Sequence, residues 1–364
     1  GYSFNFLKHL KKIYINDKET NKENRIKIEN FNIPIHSEKF NKIKPRNEER
    51  NIEFSFAYYE DYNSAIKLKS VPNIFNFFSM EEEKNKWCFL VHCNSFDMNN
   101  DRRKLQTDSN INERLLPTIA DEIKQFLENL SKTNSELFYN IYPSLLLSDI
   151  PENKKHLKDY FFIPLTSVIY EIVPTRNGFT NNLDHVIIKD TALDISPRDW
   201  GIEKEWFLWT DFNIDEEIIK EAQNDNKLGL RKMSISSLIE NSDIDRVNNW
   251  ISVTNNDLLY KFLEELENHL PEANLYELKF IKCSDGNFYS INEVASSSKM
   301  ICTINKIREI KDILNEIGLI TSELNISNYP NILEKASKKI AYLKEINQKN
   351  IFDNFIKETT SAKT

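Results

Sequence analysis

Glycine is scarce in this chain. Six are spread over 364 residues, at Gly1, Gly178, Gly201, Gly229, Gly286 and Gly318. No two are spaced as GxGxxG or GxxxxGK, so the chain offers no glycine-rich loop to bring backbone N–H groups close to a phosphate. Cysteine is equally sparse. Cys88, Cys93, Cys283 and Cys302 form no CxxC pair, and four in a chain this long do not make a disulfide framework. They read as reduced, mostly buried thiols, which points to a cytoplasmic protein. No apolar run reaches the ~18 residues a membrane-spanning helix requires. The start, "GYSFNFLKHLKK", lacks a signal-peptide cleavage pattern. Gly1 without an initiator Met suggests an excised fragment.

The histidines exclude an obvious metal site. His9, His36, His92, His156, His185 and His269 show no HxH or HxxxH spacing. His92 adjoins Cys93, but neighbours on a strand point to opposite faces. No GxSxG motif occurs, and no cysteine carries a catalytic signature. Acidic runs such as Glu81–Glu82–Glu83 read as solvated loop charges rather than a general acid/base pair. With no site template met, a stand-alone enzyme is the weakest reading.

What is present is the composition of a soluble globular protein, 40% hydrophobic and 29% charged, with net charge −8. The first fifty residues hold 12 Lys and Arg against 7 Asp and Glu, so the acidity lies after them. That basic start, with Lys39, Lys42, Lys44 and Arg46, reads first as a solvated face. Nucleic-acid binding through it is an alternative, and would be steeply salt-dependent. The aromatic clusters "FNFF" at 75–78 and "EWFLW" at 205–209 lack a basic stripe beside them. They are expected to pack in the core rather than stack on bases.

Periodicity gives strands at 24–35 and 50–59, where Ile52, Phe54 and Phe56 oppose Glu53 and Ser55. The run "KWCFLVHCN" at 86–94 reads as a continuous buried strand. A long helix follows, with Leu115, Leu116, Ile119, Ile123, Phe126, Leu127 and Leu130 on one face and Asp108 or Ser109 as its cap. A second helix is expected over 134–147. "TRNGF" and "SDGNF" look like turns of two related hairpins, with an amphipathic helix at 257–269 between them. Helices are expected over 305–319 and from Pro330 onward, and the final residues should be disordered. The fold class is therefore α/β (α+β). We expect an N-terminal βαβ-type sandwich over 1–133, a mixed α/β region over 134–270, and a hairpin plus helical region over 271–364.

One stretch remains to be placed. "NNDRRKLQ" at 99–106 sets Arg102 and Arg103 side by side between the apolar strand and the long helix. At such a place the guanidinium groups either reach solvent and pair with Asp97, Asp101 or Asp108, or offer a fork of donors to phosphate oxygens. An arginine supplied to a transferring γ-phosphate stabilises the charge that develops there.

Over about residues 50–130 the chain resembles the middle, or transducer, domain of GHKL-type ATPases, sacsin-type proteins in particular. The stretches that carry the resemblance are "FSFAYY", "VPNIFNFFSM", "KWCFLVHCNSFDMNNDRRKLQ" and the helix after them. The ninety-kilodalton heat-shock chaperone reads "N-S-R-E-x-L-Q" where this chain has Asp101 to Gln106. The resemblance extends more weakly to 278–320. It implies that Arg102, or Arg103, contacts the terminal phosphate of a nucleotide, with Asn99, Asn100 and Gln106 as its companions. Asp101 stands where the chaperone pattern has serine, and would compete for Arg102. The family's nucleotide motifs, N-x-x-D, D-x-G-x-G and a glycine-rich lid, are not found in this sequence. The resemblance therefore implies a fragment that binds no cofactor itself, with ATP and Mg in a domain upstream of Gly1. That domain would be its partner, other proteins being further ones. The parent would be chaperone-like or defence-related. The rival reading is a non-catalytic scaffold binding proteins through helices at 305–345.

Overall fold

Strand alternation in the first part of the chain builds a mixed five-stranded sheet. The computed structural model describes residues 35–43, 52–60, 62–210, 216–269, 276–283, 285–297, 300–301 and 320–321. The expected helices at 305–319 and beyond Pro330 lie outside these residues. So do Lys44, Arg46 and all of the expected 24–35 strand but its last residue. Among the described residues the fold is mixed α/β.

The sheet runs in the order β1 (Ile35–Ile43), β2 (Ile52–Tyr59), β5 (Leu90–Cys93), β3 (Ile74–Asn76), β4 (Phe78–Ser79). β2 pairs antiparallel with both β1 and β5, with Phe56 opposite Val91. β3 lies parallel to β5, Phe75 opposite His92, and turns back into β4. β2 alternates as expected, but of its polar side only Glu53, at the start of the strand, is open to water. Ser55, Ala57 and Tyr59 are as buried as Phe54 and Phe56, because the sheet is covered on both faces. The strand expected over 86–94 is shorter in the structure. Trp87, Cys88 and Phe89 are fully buried, but the ladder begins only at Leu90. Before it, Asn73 takes up the backbone groups of Trp87 and Phe89, and Trp87 stacks on Phe89 at 5.1 Å and on Phe162 at 5.8 Å.

After the short helix α1 (Tyr62–Ala65), the long helices are α2 (Asn110–Thr133) and α3 (Ser135–Leu147). Ser109 is the cap of α2: its hydroxyl accepts from Ile111 N at 3.2 Å and Asn112 N at 3.3 Å, satisfying first-turn donors that the helix leaves open. Leu115, Leu116, Ile119, Ile123 and Leu127 form its buried face. Lys227 closes the far end of α3. It donates to the carbonyls of Leu146 and Ser148 and pairs with Glu221, a cation where the helix dipole is negative.

The chain divides into two compact units, Gly1–Val186 with Phe207–Leu230, and Ile187–Trp206 with Arg231–Thr364. The second unit holds β8 (Val186–Asp190), all but its first residue, between β10 (Lys232–Ser234) and β9 (Glu205–Trp206). Its core gathers Trp200, Trp206, Leu238, Ile251, Phe262 and Phe280. Each unit carries one of the two expected hairpins. β6 (Val173–Thr175) pairs with β7 (Gly178–Thr180), and β11 (Ile281–Lys282) with β12 (Phe288–Tyr289). In the second, Gly286 sits at φ +84, a left-handed conformation that glycine adopts without steric cost. The amphipathic helix between the hairpins is Asn256–His269. No described helix is long and apolar enough to cross a membrane.

Candidate functional site

The arginine pair does not continue a strand. β5 ends at Cys93, and residues 97–106 form a separate small hairpin ahead of α2. Met98 bridges Leu105, Asn99 N donates to Lys104 O at 3.1 Å, and Gln106 N donates to Asp97 O at 3.0 Å. At its tip, Arg102 N donates to Asn99 O at 2.9 Å, closing a tight turn. Arg102 itself takes φ +60, a conformation that costs a non-glycine residue roughly 1–2 kcal/mol. The turn, and not a continuing strand, therefore sets the directions of Arg102 and Arg103.

Why this sequence turns here is legible in its hydrogen bonds. The side-chain oxygen of Asn99 accepts from both Arg103 N (3.0 Å) and Lys104 N (3.2 Å). Asp101 accepts from Arg103 N at 3.2 Å. Short Asn and Asp side chains stabilise turns by bonding backbone a few residues on. At the base, Asn112 of α2 grips both arms. Its amide nitrogen donates to Asp97 O (2.7 Å) and Gln106 O (3.0 Å), while its oxygen accepts from Asp97 N (2.9 Å). On the side facing residues 81–83, Glu82 N donates to Arg103 O (2.9 Å) and Glu83 accepts from Leu105 N (3.1 Å).

The two arginines differ sharply in what surrounds them. Arg103 donates to Glu81 at 3.2 Å and lies 3.7 Å from Glu82. Lys104 reaches Glu82 at 3.8 Å. Arg102 is exposed, and its guanidinium makes no ion pair or hydrogen bond with any described residue. Asp101, expected to compete for Arg102, turns a carboxylate oxygen to the Arg103 N–H instead. The tip thus carries one guanidinium with its donors open, on a backbone fixed from three sides. Such a group suits a doubly bonded contact to phosphate or carboxylate oxygens.

The companions separate as well. Asn99 spends its oxygen on the turn. Asn100 is exposed beside Arg102, and Gln106 is half-buried at the base of the hairpin, away from the tip. Asn100 shares the turn with Arg102, and Gln106 sits at the other end of the hairpin.

Sequence reasoning missed two features nearby. Glu83, read as part of a solvated acidic run, is only 2% exposed. It binds Lys154 at 2.6 Å as well as Leu105 N. The aromatic run at 75–78 was expected in the core. Phe75 is buried there, but Phe77 and Phe78 are 51% and 71% exposed. Phe77 also takes φ +54. The connection between β3 and β4 is Phe77 alone, and so tight a turn leaves its side chain outside the sheet. The sequence signal was present but faint: consecutive residues in a two-strand hairpin cannot all face one side.

Burial pushes the Cys88 thiol up to about 12 and the Cys93 thiol up to about 11, so neither forms a thiolate near neutral pH. The other expected aromatic cluster packs inward, with Trp206 and Phe207 buried and Trp209 stacked on Tyr142 at 5.4 Å. Among the described residues no group of three or more His, Cys, Asp or Glu could hold a metal ion. Comparison with family models, with curated proteins and with solved structures finds no match to this chain.

Proposed function

We propose that the first unit presents Arg102 to the terminal phosphate of a nucleotide held by a neighbouring domain upstream, as in GHKL-type ATPases of the sacsin kind. ATP and Mg belong to that domain in this reading, and Arg102 couples nucleotide state to domain movement in a chaperone-like or defence-related parent. One observation carries the proposal: of the two adjacent arginines, Arg103 is occupied by Glu81 and Glu82 while Arg102 is open at the tip of a braced hairpin. The test is ATP turnover by the full-length protein. Arg102→Ala should lower kcat by about two orders of magnitude or more, in line with the loss of a charge-stabilising donor. Arg103→Ala should change it by only a few fold. Normal turnover in both variants would overturn the reading.

A second reading is supported by Phe77 and Phe78. Two exposed aromatics on an edge hairpin suit a non-catalytic protein-interaction surface. Phe77→Ser with Phe78→Ser would then abolish partner capture and leave turnover unchanged. The stretch 305–345, where sequence alone placed such a surface, lies outside the described residues apart from 320–321.

A further inference from the structure

Lys154 spends all three of its ammonium protons on one short stretch. It donates to Glu82 O at 2.8 Å, to the Glu83 carboxylate at 2.6 Å and to the Asn85 side-chain oxygen at 2.9 Å. Glu83 is buried, and its other oxygen accepts from Leu105 N of the arginine hairpin at 3.1 Å. Glu82 in turn donates its N–H to Arg103 O. Two adjacent residues thus face the hairpin on one side and Lys154 on the other. Lys154 directly precedes the helical stretch that runs through 155–166. Phe161 and Phe162 of that stretch pack on Trp87, with ring centroids 5.3 and 5.8 Å away.

A buried carboxylate stays charged only while a cation and hydrogen-bond donors compensate it. Here the cation comes from one element and the backbone donor from another, so the departure of either leaves Glu83 less fully compensated. We propose that Glu83 and Lys154 are positioning residues that fix the Arg102 hairpin and pass its displacement to the helical stretch beginning at Lys155. This rests on the reading of Arg102 given above. It adds a mechanical path from the tip of the hairpin to a helix packed against the core of the same unit.

Two measurements test it, and they fail separately. The first is amide hydrogen exchange on the 364-residue chain. Lys154→Met should speed exchange in peptides covering 97–106 about tenfold or more, while peptides within α2 past its first turn stay protected. Should Lys154→Met not fold, Glu83→Gln replaces it: the amide keeps the shape and an acceptor oxygen but removes the charge that Lys154 pairs with, and a rise of about threefold is expected. Unchanged exchange at 97–106 overturns the positioning role. The second is a double-mutant cycle on ATP turnover in the full-length protein. Lys154→Met should lower kcat about tenfold when Arg102 is present and have no effect on the Arg102→Ala background. Equal effects on both backgrounds overturn the link to Arg102, since a residue that merely stabilises the fold would give that result. If Arg102→Ala is itself silent while exchange rises, the reading of Arg102 and the transmission both fall and only the bracing of the hairpin stands.

Discussion

Replacing Asn73 tests whether the unit that carries Arg102 is organised as described. Asn73 is fully buried. Its amide nitrogen donates to the carbonyls of Leu68 (3.1 Å), Trp87 (3.0 Å) and Phe89 (3.3 Å), and its oxygen accepts from Asn85 N at 2.9 Å and Trp87 N at 3.4 Å. Its backbone adds Asn73 N to Glu83 O at 2.9 Å and Val91 N to Asn73 O at 2.8 Å. One side chain therefore ties together the approach to β3, the approach to β5 and the segment that braces the arginine hairpin. Alanine leaves these backbone groups without their side-chain partner, at ~1–3 kcal/mol for each group truly orphaned. Water entering the vacated space recovers part of that, and the Leu68 carbonyl keeps the Val71 N–H. We expect a net loss of about 3–5 kcal/mol, with a urea midpoint lowered by roughly 2 M at a slope of about 2 kcal/mol/M. The assay is urea-dependent alkylation of Cys88, read by mass spectrometry, because that thiol lies in this unit and is fully buried. Asn73→Asp separates hydrogen bonding from packing. Its carboxylate would face three carbonyl oxygens, so its charged form is disfavoured in the fold and its folded pKa is raised. The stability this variant has is then fullest below the ordinary Asp value and is lost as pH rises. The deficit relative to the parent should be large at pH 7 and shrink toward pH 4. A loss under about 1 kcal/mol for Asn73→Ala, or an Asn73→Asp variant as stable as the parent at pH 7, would refute the reasoning.

Other consequences are read more simply. With their thiols pushed up to about 12 and about 11 by burial, Cys88 and Cys93 should resist alkylation at pH 8 in the folded chain and react fully in denaturant; labelling of either in native buffer would contradict the burial. His156 is held below the ordinary histidine value, chiefly by burial, with Glu83 opposing and Lys154 adding to the effect. A lowered folded pKa means that its contribution is present above the ordinary value and is lost as pH falls through the folded one. Thermal midpoints measured from pH 7.5 to 5 should therefore drop more for the parent than for His156→Phe, and equal drops would exclude this histidine as a source of acid sensitivity.

The local elements were written in the chain. The i, i+4 spacing of Leu115, Ile119, Ile123 and Leu127, with Ser109 before it, is enough to start and face α2, because capping and amphipathicity act within a few residues. The turns at Asn177–Gly178 and Asp285–Gly286 are local for the same reason: their conformations suit few residue types. A pair of arginines at a junction before a helix was equally visible as a candidate anion contact.

Long-range geometry decided the rest. Nothing near Arg103 in sequence says that Glu81 and Glu82 neutralise it, twenty-odd residues earlier, or that Arg102 is the one left open. The burial of Glu83 depends on Lys154, 71 residues away, and a carboxylate is tolerated inside only when such a partner arrives. The return of 207–230 to the first unit is likewise set by packing and not by any local signal. Composition and spacing determined α2, α3, the helix at Asn256–His269 and the two glycine turns, but not the helices between 155 and 253. Which charges meet, and which one is left facing solvent, depended on segments far apart in the chain being brought within a few ångströms, because hydrogen bonds and ion pairs act only at that range.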